Sequence, residues 1–207
     1  MALDYEQQFY SDKIQYIVGT DEAGRGCLLG PVFAGAVILP KGFKCDLIND
    51  SKQLSEKQRE EAYKIIVENA IAYGIGSCSV EEIDEMNILN ASREAMKRAI
   101  ANMKHKFDLI LTDCMKMPGM GVDVIDLVHG DARALCIAAA SILAKVSRDH
   151  VCYELDAIYP YYNIRKNKGY GTKDHLEALE KYGPVKGLHR YSYKPVKMAL
   201  IQKVSLF

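Results

Sequence analysis

Four carboxylates lie at or near the ends of apolar segments, which is where active crevices form in open α/β sheets. Asp21 and Glu22 follow one such segment. Asp113 ends another, and Asp131 lies just before an alanine-rich run. Clustered carboxylates raise one another's pKa by repulsion, and a hard divalent cation removes that cost. If the acids converge, they predict a site for two Mg²⁺ or Mn²⁺ ions, which could clamp the oxygens of a phosphodiester.

Each acid also has a plainer structural role open to it. Asp131 could cap the following helix, since Asp is a favoured N-cap residue, and Asp113 could form a turn after its strand. Asp21 and Glu22 are harder to explain in this way. Neighbouring strand residues face opposite sides, and a buried carboxylate is costly unless it is paired or binds a metal. A turn at Gly24 could redirect Glu22, so that both acids address one site.

The turn Gly24-Arg25-Gly26 follows the acidic pair directly. Its spacing misses both the Walker loop and the G-x-G-x-x-G pattern, and acids inside a phosphate cradle would repel phosphate. Because glycine has no side chain, the backbone of this turn can approach a ligand closely, and Arg25 could hold a phosphate. The alternative is a tight hairpin turn with an exposed arginine.

The elements that would position these residues follow from hydrophobic periodicity. Strands are predicted at 14–20, 31–39, 71–80, 108–113 and 122–129. Helices are predicted after a capping-box pattern at Ser55 and Gln58 and near 88–103, 134–150, 173–182 and 194–203. This order predicts a mixed α/β sheet flanked by helices. The small residues of the helix at 134–150 indicate close packing and a central position.

Length and charge set broad limits on the class of protein. The 207 residues, 49% of them hydrophobic, can bury a core without disulfides, and we expect a single domain over 1–207. Basic and acidic residues balance at 27 each, but 1–144 have a net charge of −6 and 145–207 of +6. This asymmetry indicates either a polyanion-binding region or an ordinary solvated helical surface.

Cysteines, histidines and apolar runs argue against several other sites and locations. The six cysteines form no Cys-x-x-Cys pair, which argues against a zinc site, and we expect Cys27 and Cys136 in the core. The five histidines are scattered, and most are expected at the surface. With no membrane-length apolar run and no signal-like segment, the sequence predicts a reduced, soluble, cytoplasmic protein without a membrane partner. We also expect a monomer.

Six blocks, in the expected order, resemble the type 2 ribonuclease H family and, within it, bacterial ribonuclease HII. Each block alone is moderately specific, whereas the combination is highly specific and covers nearly the whole chain. The blocks are TDEAGRGCLLGPVFAGAVIL (20–39), NDSKQLS (49–55), LILTD (109–113), HGDARALCIAAASILAKVSRD (129–149), NKGYGTKDH (167–175) and HRYSYKPV (189–196).

The resemblance implies a ribonuclease H-like fold, with a five-stranded mixed sheet, flanking helices and a basic, tyrosine-rich helical extension over about 151–207. It implies endonucleolytic cleavage of RNA paired with DNA, and of single ribonucleotides embedded in duplex DNA, leaving 3′-hydroxyl and 5′-phosphate ends. Mg²⁺ or Mn²⁺ is the implied cofactor, and nucleic acid is the implied partner. The extension would contact phosphates, since residues 161–197 contain nine Lys or Arg and three acids.

The resemblance also implies roles for single residues. The implied metal-binding and catalytic acids are Asp21, Glu22, Asp113 and Asp131. The implied substrate-binding residues are Gly24, Arg25 and Gly26, in the turn that reads the 2′-hydroxyl, Tyr170, which packs on the sugar at the RNA–DNA junction, and Lys52, near a backbone phosphate. The 2′-hydroxyl is the group that distinguishes RNA from DNA at a given site.

Two residues depart from the family pattern, and two other functions stay open on the residues alone. Cys114 stands where glycine is common, which could unsettle the placement of Asp113, and Tyr193 stands where phenylalanine is common. A non-catalytic nucleic-acid-binding module would use the basic region, but the paired acids would weaken it without a metal. A Mg²⁺-dependent hydrolase of small nucleotides would not need the basic, tyrosine-rich region.

Overall fold

A five-stranded mixed sheet lies at the centre of the structure, a computed structural model that describes residues 3–49, 51 and 53–204. In chain order its strands are β1 (Ile17–Ala23), β2 (Val32–Ile38), β3 (Ala72–Cys78), β4 (Leu109–Asp113) and β5 (Asp123–Leu127). Across the sheet they run β3-β2-β1-β4-β5. The pairs β1–β2 and β2–β3 are antiparallel, and β1–β4 and β4–β5 are parallel. The predicted mixed α/β fold is therefore confirmed.

Helices flank the sheet and form the C-terminal part of the chain. They are α1 (Glu56–Asn69), α2 (Val80–Met86), α3 (Ile88–Asn102), α4 (Leu135–Ile158), α5 (Ile164–Asn167), α6 (Lys173–Tyr182) and α7 (Lys194–Val204), with short 3₁₀ turns at Tyr5–Phe9, Gly130–Ala132 and Pro160–Tyr162. The predicted capping box at Ser55 and Gln58 is present at the start of α1. Helix α2 was not predicted, although Ser79 and Glu82 give it the same capping box. No helix within the described residues is long and apolar enough to cross a membrane.

Helix α4 packs directly on the middle of the sheet, as its small residues indicated. A Cβ atom at Gly19 in β1 would lie 2.2 Å from the carbonyl carbon of Cys136. At Gly35 in β2 it would lie 2.3 Å from the carbonyl oxygen of Ala140. The two glycines thus let the helix backbone touch the strands. The helix runs to Ile158, eight residues beyond the predicted end at 150, because Cys152 continues its buried face.

The sheet is covered on both faces, and the C-terminal part packs against one end of it. Helix α3 packs on one face through Ala95, Met96 and Ala99, and α4 with α1 covers the other. A separate apolar cluster joins the loop after β1 to the C-terminal helices, through residues such as Leu29, Leu188 and Val196. The C-terminal helices therefore contact the segment that follows the acidic pair. Lys52, expected near a phosphate, lies outside the described residues.

Candidate active site

Asp21 and Glu22 lie within β1, which continues to Ala23, rather than after it. Strands β1 and β4 are parallel and in register at Thr20 and Thr112. Asp21 follows Thr20 on β1, and Asp113 follows Thr112 on β4. The two acids therefore lie on neighbouring strands at the same edge of the sheet. Asp21 is buried, and its side chain accepts a hydrogen bond from the backbone N–H of Glu22 at 2.8 Å. The structure thus brings the first three acids to one sheet edge.

Asp131 reaches the same edge through a short 3₁₀ turn. The backbone N–H of Gly130 donates to Asp113 Oδ1 at 2.8 Å, which ties this turn to the end of β4. Asp131 is buried, with 5% of its surface exposed. The alternative that Asp131 caps α4 is not supported, because the N-cap residue is Ala134.

A glutamate far away in sequence caps α4 instead. The carboxylate of Glu6 accepts hydrogen bonds from the N–H groups of Leu135 and Cys136, both at 3.1 Å. Its negative charge also lies at the positive end of the helix dipole. The N-terminal segment is anchored beside this contact, since the N–H of Tyr5 donates to the carbonyl of Arg133 at 3.1 Å. The turn that carries Asp131 is thus held from the N-terminal side.

The electrostatics of the acids show that they interact. Burial, with repulsion from Glu22 and Asp113, raises the pKa of Asp21 well above its usual range. Burial also raises the pKa of Glu22, although Arg25 lies close and opposes the shift. Arg25 Nη1 donates to Glu22 Oε1 at 3.0 Å, and in this ion pair the arginine is half exposed while the glutamate side chain is nearly buried. One arginine therefore does not neutralise the cluster.

The donor set fits a divalent cation in charge and chemistry. Glu22 Oε2 is buried and accepts no hydrogen bond from any described residue. A buried carboxylate oxygen of this kind favours a cation, and the donor set at this edge is all oxygen. Within residues 3–49, 51 and 53–204, no three Asp, Glu, His or Cys side chains are already arranged as a metal cage. The four acids therefore share one edge without a preformed coordination shell.

The glycine turn lies next to the acids and is built over a buried arginine. Gly24 has φ +97°, in the left-handed region that favours glycine. A Cβ atom at this position would lie 2.1 Å from Arg148 Nε. Arg148 extends from α4 and donates to the carbonyls of Lys168, at 2.8 Å, and Leu29, at 3.3 Å. Both the conformation and the space at residue 24 thus require glycine.

A second buried arginine holds the carbonyl groups of the turn. Arg190 Nη1 donates to the carbonyl oxygens of Gly24 at 2.8 Å and Arg25 at 3.0 Å. The hydroxyl of Tyr193 donates to the same Arg25 carbonyl at 2.5 Å. Tyr193 also accepts a hydrogen bond from Arg190 at 3.1 Å. Its hydroxyl therefore makes a contact that the phenylalanine common in the resembled family could not make.

Tyr170 lies beside the turn, so the structure brings these two predicted elements together. Cys27 and Tyr170 form an isolated antiparallel bridge, and the N–H of Leu28 donates to the carbonyl of Gly169 at 2.7 Å. A Cβ atom on Gly26 would lie 3.7 Å from Tyr170 Cε1. Tyr170 is 45% exposed. Gly26 and this ring therefore border a common, solvent-accessible space.

Sequence reasoning missed the residues that support the turn from inside. Arg148 follows Ala144 by four positions, so helical periodicity is the signal that could have placed it on the buried face of α4. Arg190 has no comparable local signal. The expectation that most histidines lie at the surface holds for His129 and His150, whereas His105 is partly buried. His175 and His189 are buried, with 0% and 1% exposed. They were missed because their partners are distant in sequence.

Cys114, the first departure from the family pattern, has φ +51°, which explains why glycine is common at this position. We expect Cys114→Gly to raise the free energy of unfolding by about 0.5–1 kcal/mol. The relief of left-handed strain, about 1–2 kcal/mol, exceeds the entropic cost of glycine. Denaturant unfolding would measure the change. Cys114→Ala keeps the strain and serves as the control, so equal stability of the two variants would contradict this explanation.

Comparisons with known proteins agree with the resemblance. Residues 18–196 match the family model described as Ribonuclease HII. A curated Ribonuclease HII from Caldanaerobacter subterraneus subsp. tengcongensis is 51% identical over 189 residues, which cover 91% of this chain and 78% of that protein.

Solved structures share the fold at lower identity. The ribonuclease H2 from Pyrococcus horikoshii OT3 aligns with a TM-score of 0.77 and 24% identity, over 90% of this chain and 98% of that one. Bst-RNase HIII in complex with Mn²⁺ aligns with a TM-score of 0.70 and 16% identity, over 92% and 71% of the two chains.

Proposed function

The chain belongs to the ribonuclease HII family and is therefore a ribonuclease H endonuclease for RNA–DNA hybrids, and we propose that it also nicks duplex DNA on the 5′ side of single embedded ribonucleotides. The observation that supports this proposal is the contact between the glycine turn and the exposed Tyr170, directly beside the acidic pair. One continuous segment, residues 21–26, would then supply two of the four acids for cleavage of the phosphodiester and the backbone groups that recognise the ribose.

We propose that Asp21, Glu22, Asp113 and Asp131 hold two divalent ions. Mg²⁺ or Mn²⁺, when bound, would supply activation of water and stabilisation of the leaving 3′-oxygen. The unsatisfied Glu22 Oε2 and the mutual repulsion around Asp21 support this assignment. Mn²⁺ in the related RNase HIII structure agrees with it. Asp21 and Glu22 belong to the strand that leads directly into the turn, so a phosphate bound at this site would have a fixed position relative to the turn.

The turn would read the ribose through its backbone. Its carbonyls at Gly24 and Arg25 are fixed from the protein side by Arg190 and Tyr193, so its position does not depend on substrate. A 2′-hydroxyl could hydrogen-bond to backbone groups that no side chain covers. The face of Tyr170 would pack on the next sugar, a deoxyribose, which has no 2′-oxygen to collide. A preorganised turn of this kind loses little entropy on binding.

The basic C-terminal part would hold the phosphate backbone of the duplex. Several of its cations are exposed, for example Lys173 and Lys166, which form only loose ion pairs at 3.7 and 3.5 Å. Loose surface pairs of this kind are weak and are readily exchanged for phosphate contacts. The monomeric state, the single-domain organisation and the cytoplasmic location stay predictions.

A DNA duplex with one ribonucleotide, incubated with and without Mg²⁺ or Mn²⁺, tests the proposal. We expect a metal-dependent nick on the 5′ side of the ribonucleotide, with a 3′-hydroxyl and a 5′-phosphate, and no cut in an all-DNA duplex. Binding without a product would instead support a non-catalytic module. Turnover of free nucleotides would support a small-nucleotide hydrolase. Either outcome would overturn the proposal.

Tyr193→Phe should lower kcat/KM on the single-ribonucleotide duplex about 5-fold, because one hydrogen bond to the Arg25 carbonyl, about 1 kcal/mol, is lost. The ring and its packing stay. Steady-state cleavage assays would measure the change. Tyr191→Phe removes a hydroxyl from the same segment and is the matched control, with an expected change below about 2-fold. Equal rates for the two variants would show that the Tyr193 hydroxyl does not contribute to positioning the turn.

A further inference from the structure

Two buried histidines lie behind Tyr170, and the proposed function gives them no role. His175 is in the first turn of α6, and His189 follows the loop after α6. Their Nε2 atoms are 3.3 Å apart. The surrounding cluster is mostly apolar and includes Leu179, Leu188 and Val196. Burying two imidazoles there is costly unless their nitrogens are hydrogen-bonded.

The backbone groups at the two ends of the pair determine where the protons lie. The N–H of Val185 can only donate, and it donates to His189 Nδ1 at 3.0 Å. Neutral His189 therefore carries its proton on Nε2 and donates to His175 Nε2. Neutral His175 then carries its proton on Nδ1 and donates to the carbonyl of Tyr170 at 2.9 Å. This is the one arrangement of neutral imidazoles that satisfies both ends.

The buried surroundings of His175 and His189 favour the neutral form of both imidazoles. Burial lowers the pKa of His175, and burial together with the neighbouring His175 lowers the pKa of His189 to about 3. The rings of Tyr162 and His189 pack in a T-shaped arrangement, with ring centroids 4.8 Å apart. The pair is therefore a one-way chain of hydrogen bonds that runs from Val185 to the backbone of Tyr170.

The chain ends on a segment that is fixed from its other side as well. The N–H of Tyr170 donates to the carbonyl of Asn167 at 2.9 Å, and Asn167 Oδ1 accepts from the N–H of Gly169 at 2.7 Å. The backbone of Tyr170 is thus held by both its N–H and its C=O, while its ring is left half exposed. A fully hydrogen-bonded polar chain in an apolar cluster rigidifies it and specifies one arrangement.

We propose that His175 and His189 are positioning residues that set the backbone of Tyr170 and so hold its ring against the glycine turn. The proposal rests on the proposed function, in which this ring packs on the sugar next to the ribonucleotide. The histidines themselves do not touch substrate. Their effect should therefore appear where Tyr170 matters most, at an isolated ribonucleotide followed by a deoxyribose.

Two substitutions at His175 separate the donor to Tyr170 from the rest of the side chain. In His175→Asn, the amide nitrogen can take the place of Nδ1 and still donate to the Tyr170 carbonyl. In His175→Gln, the longer amide takes the place of Nε2, so the bond to His189 is kept. The Tyr170 carbonyl then loses its side-chain donor and keeps only the local hydrogen bond from the N–H of Thr172, at 2.8 Å. Both variants place the same uncharged amide group at position 175 and differ in its reach, which makes them a matched pair.

Cleavage kinetics on two substrates test the proposal. We expect His175→Gln to lower kcat/KM on the single-ribonucleotide duplex about 10-fold, and on a continuous RNA–DNA hybrid about 2-fold, because small misplacements of a positioning group are costly. His175→Asn should stay within about 3-fold of the unmodified protein on both. Equal losses for the two variants, or equal losses on the two substrates, would overturn the proposal.

The protonation pattern gives a readout that does not depend on activity or on a variant that folds. Two-bond ¹H–¹⁵N NMR spectra of the unmodified protein at neutral pH should show His175 protonated on Nδ1 and His189 on Nε2. Other tautomers, or a cationic ring, in an active protein would overturn the hydrogen-bond chain alone. The expected tautomers in a protein that nicks no embedded ribonucleotide would overturn the proposed function of Tyr170.

Discussion

Asp21→Asn should abolish metal-dependent cleavage of RNA–DNA hybrids and of single-ribonucleotide duplexes. Loss of residues that merely support a metal ligand costs about 10- to 100-fold, so we expect more than about 100-fold from the loss of a proposed ligand. The fold should survive, because asparagine has the same shape and can still accept the hydrogen bond from the Glu22 N–H. Cleavage assays over a range of Mg²⁺ and Mn²⁺ concentrations would measure the loss.

Stability gives a second readout for Asp21→Asn with the opposite sign. The folded state raises the pKa of Asp21, so the native protein binds more protons than the unfolded chain as pH rises from the unfolded pKa to the folded pKa. The contribution of Asp21 to the stability of the folded state is therefore fully present below the unfolded pKa. It is lost as pH rises from the unfolded pKa through the folded pKa. Without metal, the variant should be more stable than the unmodified protein at neutral pH, as measured by denaturant unfolding with a chelator.

Asp126→Asn is the matched control for this variant. Asp126 lies on β5, exposed and close in sequence to the proposed site. We expect no change in cleavage and less than about 0.5 kcal/mol in stability, as for most surface substitutions. Full activity of Asp21→Asn would overturn the metal-site assignment. An equal loss of activity in Asp126→Asn would show that net charge, rather than a particular ligand, matters.

Alanine at the two glycines of the turn should separate folding from substrate reading. At Gly24 we expect a loss of about 2 kcal/mol or more in the free energy of unfolding, because φ is +97° and the new Cβ would meet Arg148 Nε. At Gly26 we expect a change within about 0.5 kcal/mol, because the new Cβ would make only an ordinary contact with Tyr170. Denaturant unfolding would measure both.

Cleavage should respond differently from stability in these two variants. The methyl group of Gly26→Ala would lie between the turn and the Tyr170 ring, in the space proposed for the sugar. We therefore expect kcat/KM on the single-ribonucleotide duplex to fall about 10- to 100-fold in a protein that is fully folded. Gly24→Ala should lose activity together with stability. An unchanged rate in Gly26→Ala would remove the turn from ribose recognition.

The sheet and the shared edge of the acids could be predicted because they depend on local patterns. The apolar runs around Asp21 and Asp113 identify two strands, and parallel neighbours bring their carboxyl ends together. Small residues on one face of α4 likewise predict close packing on the sheet. These features need only the periodicity of each element and the rules by which elements combine.

The support of the glycine turn could not be predicted, because its contacts join distant parts of the chain. Arg190 reaches Gly24 across 166 residues, and no periodicity encodes such a pair. The roles of His175 and His189 depend on which backbone group each ring meets, which only the fold decides. The reading of the sugar by the turn came from family resemblance, since chemistry alone indicated only an accessible backbone.

The hydrogen bonds from Arg190 to the glycine turn have a consequence while the chain is being synthesised. A ribosome produces the strands with their four acids well before it produces residue 190, and the carbonyls of Gly24 and Arg25 lack their donor until then. A nascent chain would thus carry the cutting residues without the rigid turn that selects where to cut. Selection of the cutting position is therefore acquired only when the C-terminal helices pack on the loop after β1.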